Sequence, residues 1–470
     1  MLFNSYTFFV FFLFVFTLFW LPLNKYRLVW QNVIILIAGY VFYGSWDWRF
    51  LSLIFLTSLS SWISGLLIER TSKPKLVSAI NIIFNIGILV CFKYFNFFID
   101  GFVSLLTLFG IQMGRETLDI ILPVGISFYT FQALSYSIDV YRGKIKACSD
   151  PIRFFAFVSF FPALVAGPIE RAQNLLPQFG EVKKFEYHNG IEGIFRVLYG
   201  LFLKIVIADR LAVLVNYSWN NIDKLSTVPA IISVVFFAFQ LYLDFAAYSE
   251  IAKGIGKLLG FEVMTNFKRP YLSRSFKEFW KRWHVSLSSW FMDYVYIPLG
   301  GNRKGEARKI MNLMIVFFLS GLWHGASFTF VLWGILNGGF IIVFDRFLKA
   351  EKGINSLIVF IGWSLSLILF RAPDVNSATE FTKHLFEYNG IDMLGSPGLG
   401  AKELIFAISL IIGLVIWEMI QEKWGGKLLR WIKKRSFLFY YTTAVLIIMS
   451  IILLGRYGIG NDSSFIYFQF

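Results

Sequence analysis

TFFVFFLFVFTLFWLPL, residues 7–23, carries no charge, and its only hydroxyls are Thr7 and Thr17. A stretch of that length and polarity reads as a membrane span. A secretory leader needs a basic start and a small-residue cleavage site, and no charge precedes Lys25, so residues 7–23 read as a retained first span. Runs of the same kind recur to the end of the chain, at 28–45, 49–68, 76–98, 118–138, 190–215, 228–249, 310–322, 326–344, 354–371, 404–420 and 437–455. The expected fold is therefore an all-α polytopic membrane protein of about 11–12 transmembrane helices, forming one membrane-embedded domain over residues 1–470. Composition agrees: 57% of the residues are apolar and 16% charged, with a mean hydropathy of +0.64, which excludes disorder and a string of soluble domains. The two cysteines build no disulfide framework.

Charge orients the spans. The stretch 152–167 is apolar but interrupted by Pro162 and by Gly167-Pro168, and reads as re-entrant, its irregular backbone buried by protein. With that choice the inside loops sum to +20 and the outside segments to −5, a positive-inside asymmetry that puts both termini, including the tail 456–470, on the external face. The net charge of +15 then marks cytoplasmic loops rather than a nucleic-acid partner. The longest non-spanning stretch, 250–309, mixes lysines and arginines with Phe267, Tyr271, Phe276, Phe279, Trp280, Trp283 and Trp290. It reads as a basic cytoplasmic segment lying in the interface, its rings in the acyl boundary and its cations among lipid headgroups.

Several chemistries lack their signature. There is no G-x-x-x-x-G-K-[ST] and no G-x-S-x-G, and Leu259 stands where a dinucleotide fingerprint beginning at Gly254 needs its third glycine. Four scattered histidines supply no metal cluster. His188 and His384 read as solvated loop residues. His324 differs, because it sits in SGLWHGASF between apolar spans, and an ionisable side chain at membrane depth is a functional-site candidate. Gly321 and Gly325 bracket it and allow close backbone approach or a helix break. His284 lies in FWKRWHVSLSSWF at the inner interface. Two neutral imidazoles at different depths suit proton abstraction from a hydroxyl. On these residues alone a proton-coupled transporter and a non-catalytic scaffold remain open. Arg196, Lys204, Asp209, Arg210 and Asp244, all within apolar spans, read as mutually paired or as the polar lining of a tunnel.

Longer motifs carry a resemblance. NFKRPYLSRSFKEFWKRWHVSLSSWFMDYVYIPLGGNRKG (266–305), SGLWHGASFTFVLWGILNG (320–338), SFFPALVAGPIER (159–171) and the opening MLFNSYTFF resemble the membrane-bound O-acyltransferase family, in its bacterial alginate O-acetylation branch. The resemblance implies helices around a tunnel joining the two membrane faces, with His324 as the catalytic histidine and His284 as the second motif histidine. It implies no tightly bound cofactor, acetyl-CoA as acyl donor from the cytoplasm, and a cell-surface or exported polysaccharide as final acceptor. It also implies a separate extracytoplasmic acyltransferase as partner and residence in the bacterial inner membrane. Lys268, Arg269, Lys281 and Arg282, on the inner face of the charge parse, are then candidate contacts for the phosphates of CoA, or for anionic lipid. The terminal FIYFQF (465–470) resembles a motif proposed in this branch to carry the acyl group on its tyrosine, here Tyr467; a plain aromatic anchor is the alternative.

Overall fold

The computed structural model of the chain describes residues 1–21, 26–110, 121–344, 347, 353–388, 400–457 and 465–466. Among them the fold is helix and turn, without strand. Among the described residues, seven helices are long and apolar enough to cross a bilayer: Arg27–Gly44, Trp48–Arg70, Pro74–Lys93, Thr227–Leu258, Ile354–Arg371, Ala401–Leu428 and Phe437–Leu454. Tyr6–Phe19 and Phe328–Phe344 are shorter apolar helices. This is a multi-pass membrane protein.

The expected spans fall on helices, but the ends differ, and the 76–98 run is broken at Tyr94 between Pro74–Lys93 and Phe95–Leu108. The run read as 228–249 continues to Leu258, and that read as 404–420 continues to Lys433. Lipid solubility stops at the first charges; the helix does not, because Lys, Glu and Arg lose little rotamer freedom in it. The 190–215 run is not one regular helix. Tyr187–Leu201 passes through a π-helical stretch, Phe202–Ala208, into Asp209–Asn220. The 118–138 run becomes helical only at Ile126, after Gly125 takes a φ of 76°, and residues 118–120 lie outside the described residues. The 152–167 run forms a short helix, Pro151–Val158, followed by turns whose residues are buried by protein.

The chain divides into two compact units, Met1–Ile194 with Ala252–Met264, and Phe195–Ile251 with Thr265–Phe470. In the first, the helices Leu51–Arg70, Pro74–Lys93 and Ile126–Tyr141 pack on faces rich in small and polar residues. Asn81 Nδ2 donates to Ser137 Oγ at 2.8 Å, and Asn85 Nδ2 to Ser60 Oγ at 3.2 Å. Apolar packing between helices gains little in lipid, so close approach and hydrogen bonds supply the contact.

In the second unit, glycines bring Glu306–His324 and Phe328–Phe344 together. A Cβ on Gly334 would lie 3.3 Å from Gly321 Cα and overlap the carbonyl of Phe317; one on Gly321 would overlap that of Phe330. The rings of the basic segment differ from expectation. Phe276, Phe279, Trp280, Trp283 and Trp290 are buried in protein, not laid in the acyl boundary. Phe279 meets Trp363 at 4.5 Å, and Trp280 meets Phe317 at 5.1 Å. Neighbouring helices offer these rings aromatic partners at interior packing density, which disordered lipid chains do not.

Candidate active site

His284 is placed by an unusual turn. It lies between the short helices Phe276–Arg282 and Val285–Phe291 with a φ of 42° and ψ of 52°. The left-handed region costs a residue with a Cβ about 1–2 kcal/mol, so surrounding contacts must hold it. Asn266 supplies them. Its backbone carbonyl accepts the Val285 N–H at 2.8 Å. Its Oδ1 accepts the Ser286 N–H at 3.3 Å and the Ser286 hydroxyl at 2.9 Å, and lies 3.0 Å from His284 Nδ1. Asn266 Nδ2 donates to Ser249 Oγ at 3.3 Å.

This pattern assigns the tautomer. A backbone N–H can only donate, so the Asn266 atom facing Ser286 is the oxygen. His284 Nδ1 must then donate to that oxygen, and Nε2 keeps its lone pair. Nε2 is buried and meets no hydrogen-bond partner among the described residues. Burial pushes the His284 imidazolium from its ordinary 6.5 to about 3. The ring is therefore a neutral acceptor throughout the physiological range.

His324 is the last residue of Glu306–His324, and Gly325 ends the helix. A Cβ on Gly325 would overlap the Phe330 ring, so the residue that follows His324 has to be glycine. The His324 ring stands edge-on to Trp323 at 4.9 Å, Trp333 at 5.1 Å and Phe370 at 5.3 Å. The two imidazole centroids are 6.4 Å apart, and Phe245 packs edge-on against His284 at 4.7 Å. Two histidines separated by forty residues of sequence thus share one buried aromatic chamber.

The four candidate donor-binding cations separate. Arg269 Nε pairs with Glu422 at 2.6 Å. Arg282 pairs with Glu278 at 2.7 Å and with Glu422 at 2.9 Å. Lys268 and Lys281 are exposed. Lys281 lines a cavity of about 890 Å³ together with Lys277, Arg303, Lys309, Trp280 and Phe317. That cavity also reaches Ser320, one helical turn before His324, and Val285, next to His284. The other three cations of its lining, and Asn266, escaped sequence reasoning; nothing marks an amide eighteen residues from His284 as its support.

The intramembrane charges pair. Arg196 bonds Glu250 at 2.6 Å, Lys204 bridges Asp209 and Asp244, and Arg210 meets Glu403. Tyr467 lies outside the described residues. Phe465 and Ile466, which precede it, are buried. Among the described residues no three His, Cys, Asp or Glu side chains converge as metal ligands.

The model of the membrane-bound O-acyltransferase family matches residues 145–351, which include both histidines. A Pseudomonas aeruginosa protein named probable alginate O-acetylase AlgI is 39% identical over 83% of this chain and 75% of its own length. The Pseudomonas putida protein of the same name is 37% identical over 83% of this chain and 81% of its own. A peptidoglycan O-acetyltransferase of Helicobacter pylori is 32% identical over 76% and 74%. These relatives are named for covalent transfer, which favours an enzyme over a proton-coupled transporter. The chain belongs to the membrane-bound O-acyltransferase family, and within it to the O-acetyltransferases.

Proposed function

We propose that this protein passes an acetyl group from cytoplasmic acetyl-CoA across the bacterial inner membrane for O-acetylation of an exported polysaccharide. The observation that carries the reading is the facing pair of buried imidazoles, one with its tautomer assigned. The hydroxyl oxygen of the acyl acceptor attacks the thioester carbonyl, forming a C–O bond. His324 takes the hydroxyl proton, the C–S bond breaks, and the thiolate of CoA recovers that proton. His284 Nε2 accepts a hydrogen bond from the same hydroxyl and orients it. The base role is given to His324, the histidine that the family resemblance marks as catalytic.

The cavity suits the donor. Lys277, Lys281, Arg303 and Lys309 provide cations for phosphates, the walls are apolar, and the volume is within the range of small-molecule sites. An anionic lipid would meet the same cations. Tyr467 is the relay in this reading. A phenol, with a pKa of about 10, makes an ester that retains much of a thioester's transfer potential, and a separate extracytoplasmic acyltransferase then moves the group to polymer.

The test uses proteoliposomes with labelled acetyl-CoA and acceptor polysaccharide. His324→Ala is expected to abolish transfer while the protein still inserts, and Tyr467→Phe to abolish delivery to polymer. Wild-type transfer by purified His324→Ala would end the proposal; a fully active Tyr467→Phe would reduce the tail to an anchor.

A further inference from the structure

The Thr227–Leu258 helix carries a polar cluster that the histidine pair does not use. Lys204 Nζ, in the π-helical stretch and 2% exposed, reaches Asp209 Oδ1 at 2.8 Å and Asp244 Oδ1 at 2.6 Å. One cation facing two carboxylates leaves acceptor capacity over. Asp244 uses it: Oδ2 accepts the backbone N–H of Ile466 at 2.5 Å. The Phe465 ring lies 4.7 Å from the Lys204 ammonium and edge-on to Tyr248 at 5.1 Å. Phe465 and Ile466 are 1% and 3% exposed. The tail is thus gripped at two kinds of point, a backbone amide by a charge-assisted hydrogen bond and a ring by a cation and an aromatic edge.

The same stretch of helix serves the histidines. Phe245, next to Asp244, packs on His284, and Ser249 holds Asn266, which holds the His284 turn. We infer that Lys204, Asp209, Asp244 and Tyr248 form a docking site for the chain's own C-terminal segment, and that Asp244 is a positioning residue setting that segment in register with the His284 turn. The grip on backbone rather than on a polar side chain fixes the depth of the segment while leaving the following residues their chemistry. The consequence for transfer rests on the Tyr467 relay; the docking itself does not.

Hydrogen exchange of the C-terminal peptide, measured on the full chain in nanodiscs beside acetyl-transfer kinetics, tests both parts. In Asp244→Leu the Ile466 amide should exchange about tenfold faster or more, whereas Asp244→Asn, which keeps an acceptor, should retain most of the protection. Phe465→Ala leaves the charged cluster intact and should also speed exchange, which guards against a folding defect in the first variant. Both Asp244→Leu and Phe465→Ala should lower turnover with the KM for acetyl-CoA unchanged. Unaltered exchange in the two variants overturns the docking site, and faster exchange with unaltered turnover overturns the positioning role. An active Tyr467→Phe would remove the relay alone, because Ile466 exchange still reads the dock.

Discussion

Asn266 makes His284 usable: it donates to Ser249, accepts from the turn and the ring, and leaves Nε2 buried with its lone pair. The depressed pKa has a sign that can be checked. Below about pH 6.5 the unfolded chain protonates this histidine and the folded chain, down to about pH 3, does not, so stability is lost on acidification across that window. The contribution is about 2 kcal/mol between pH 6.5 and 5. Buried Glu170, raised from 4.5 to about 7, acts in the opposite sense, its stabilisation being present below 4.5 and lost as pH rises through 7. The measurement is therefore a difference: thermal unfolding of wild type and His284→Gln at pH 7 and pH 5. The wild type should lose more stability on acidification than the variant, and parallel losses would refute a buried neutral His284.

At the scale of elements, the Gly321–Gly334 crossing packs the helix that ends at His324 against Phe328–Phe344. Gly321→Ala places a Cβ against the Phe330 carbonyl, a backbone atom that cannot swing away. Overpacking of this kind costs about 1–3 kcal/mol and should lower the melting temperature in detergent together with activity. Gly339→Ala, where a Cβ meets nothing within 4 Å, is the control and should leave both unchanged. Sequence alone marks Gly321 and Gly325 as places for close approach or a helix break, because only glycine permits both, but it does not single out Gly334 as the partner of Gly321. It also exposes the spans, since every span must be apolar to enter lipid. Helix ends are hidden, as Glu422 and Lys423 continue the Ala401–Lys433 helix although they end its apolar run. The bond between Asp244 and Ile466 is hidden more thoroughly. It joins positions 222 apart through a backbone N–H, a group that every residue but proline carries. The inward turn of Trp280 and Trp283 is likewise invisible, because lipid and protein interior both attract an indole.

For the whole molecule, the inside charge of the sequence parse becomes two populations. Arg269 and Arg282 are tied to Glu422, while Lys277, Lys281, Arg303 and Lys309, the last paired with Glu306, are exposed side chains lining the cavity. A Lys281→Gln, Arg303→Gln protein in detergent should raise the KM for acetyl-CoA about tenfold with little change in kcat, since phosphate contacts bind ground and transition states alike. Arg269→Gln with Arg282→Gln should instead lower kcat through the His284 turn. An unchanged KM in the cavity variant would leave those cations to lipid.

The Ala401–Lys433 helix has 33 residues, about 50 Å at 1.5 Å per residue. Glu422 falls about 32 Å along it from Ala401, close to the roughly 30 Å of a bilayer's hydrocarbon. The carboxylate that ties down Arg269 and Arg282, both of which precede the left-handed turn at His284, therefore sits one membrane thickness from the helix start. The helix acts as a ruler, and the depth of the His284 turn is read off its far mark. Reconstitution in short-chain and long-chain phosphatidylcholines should give a transfer rate that peaks at an intermediate chain length, because a host of the wrong thickness displaces the mark.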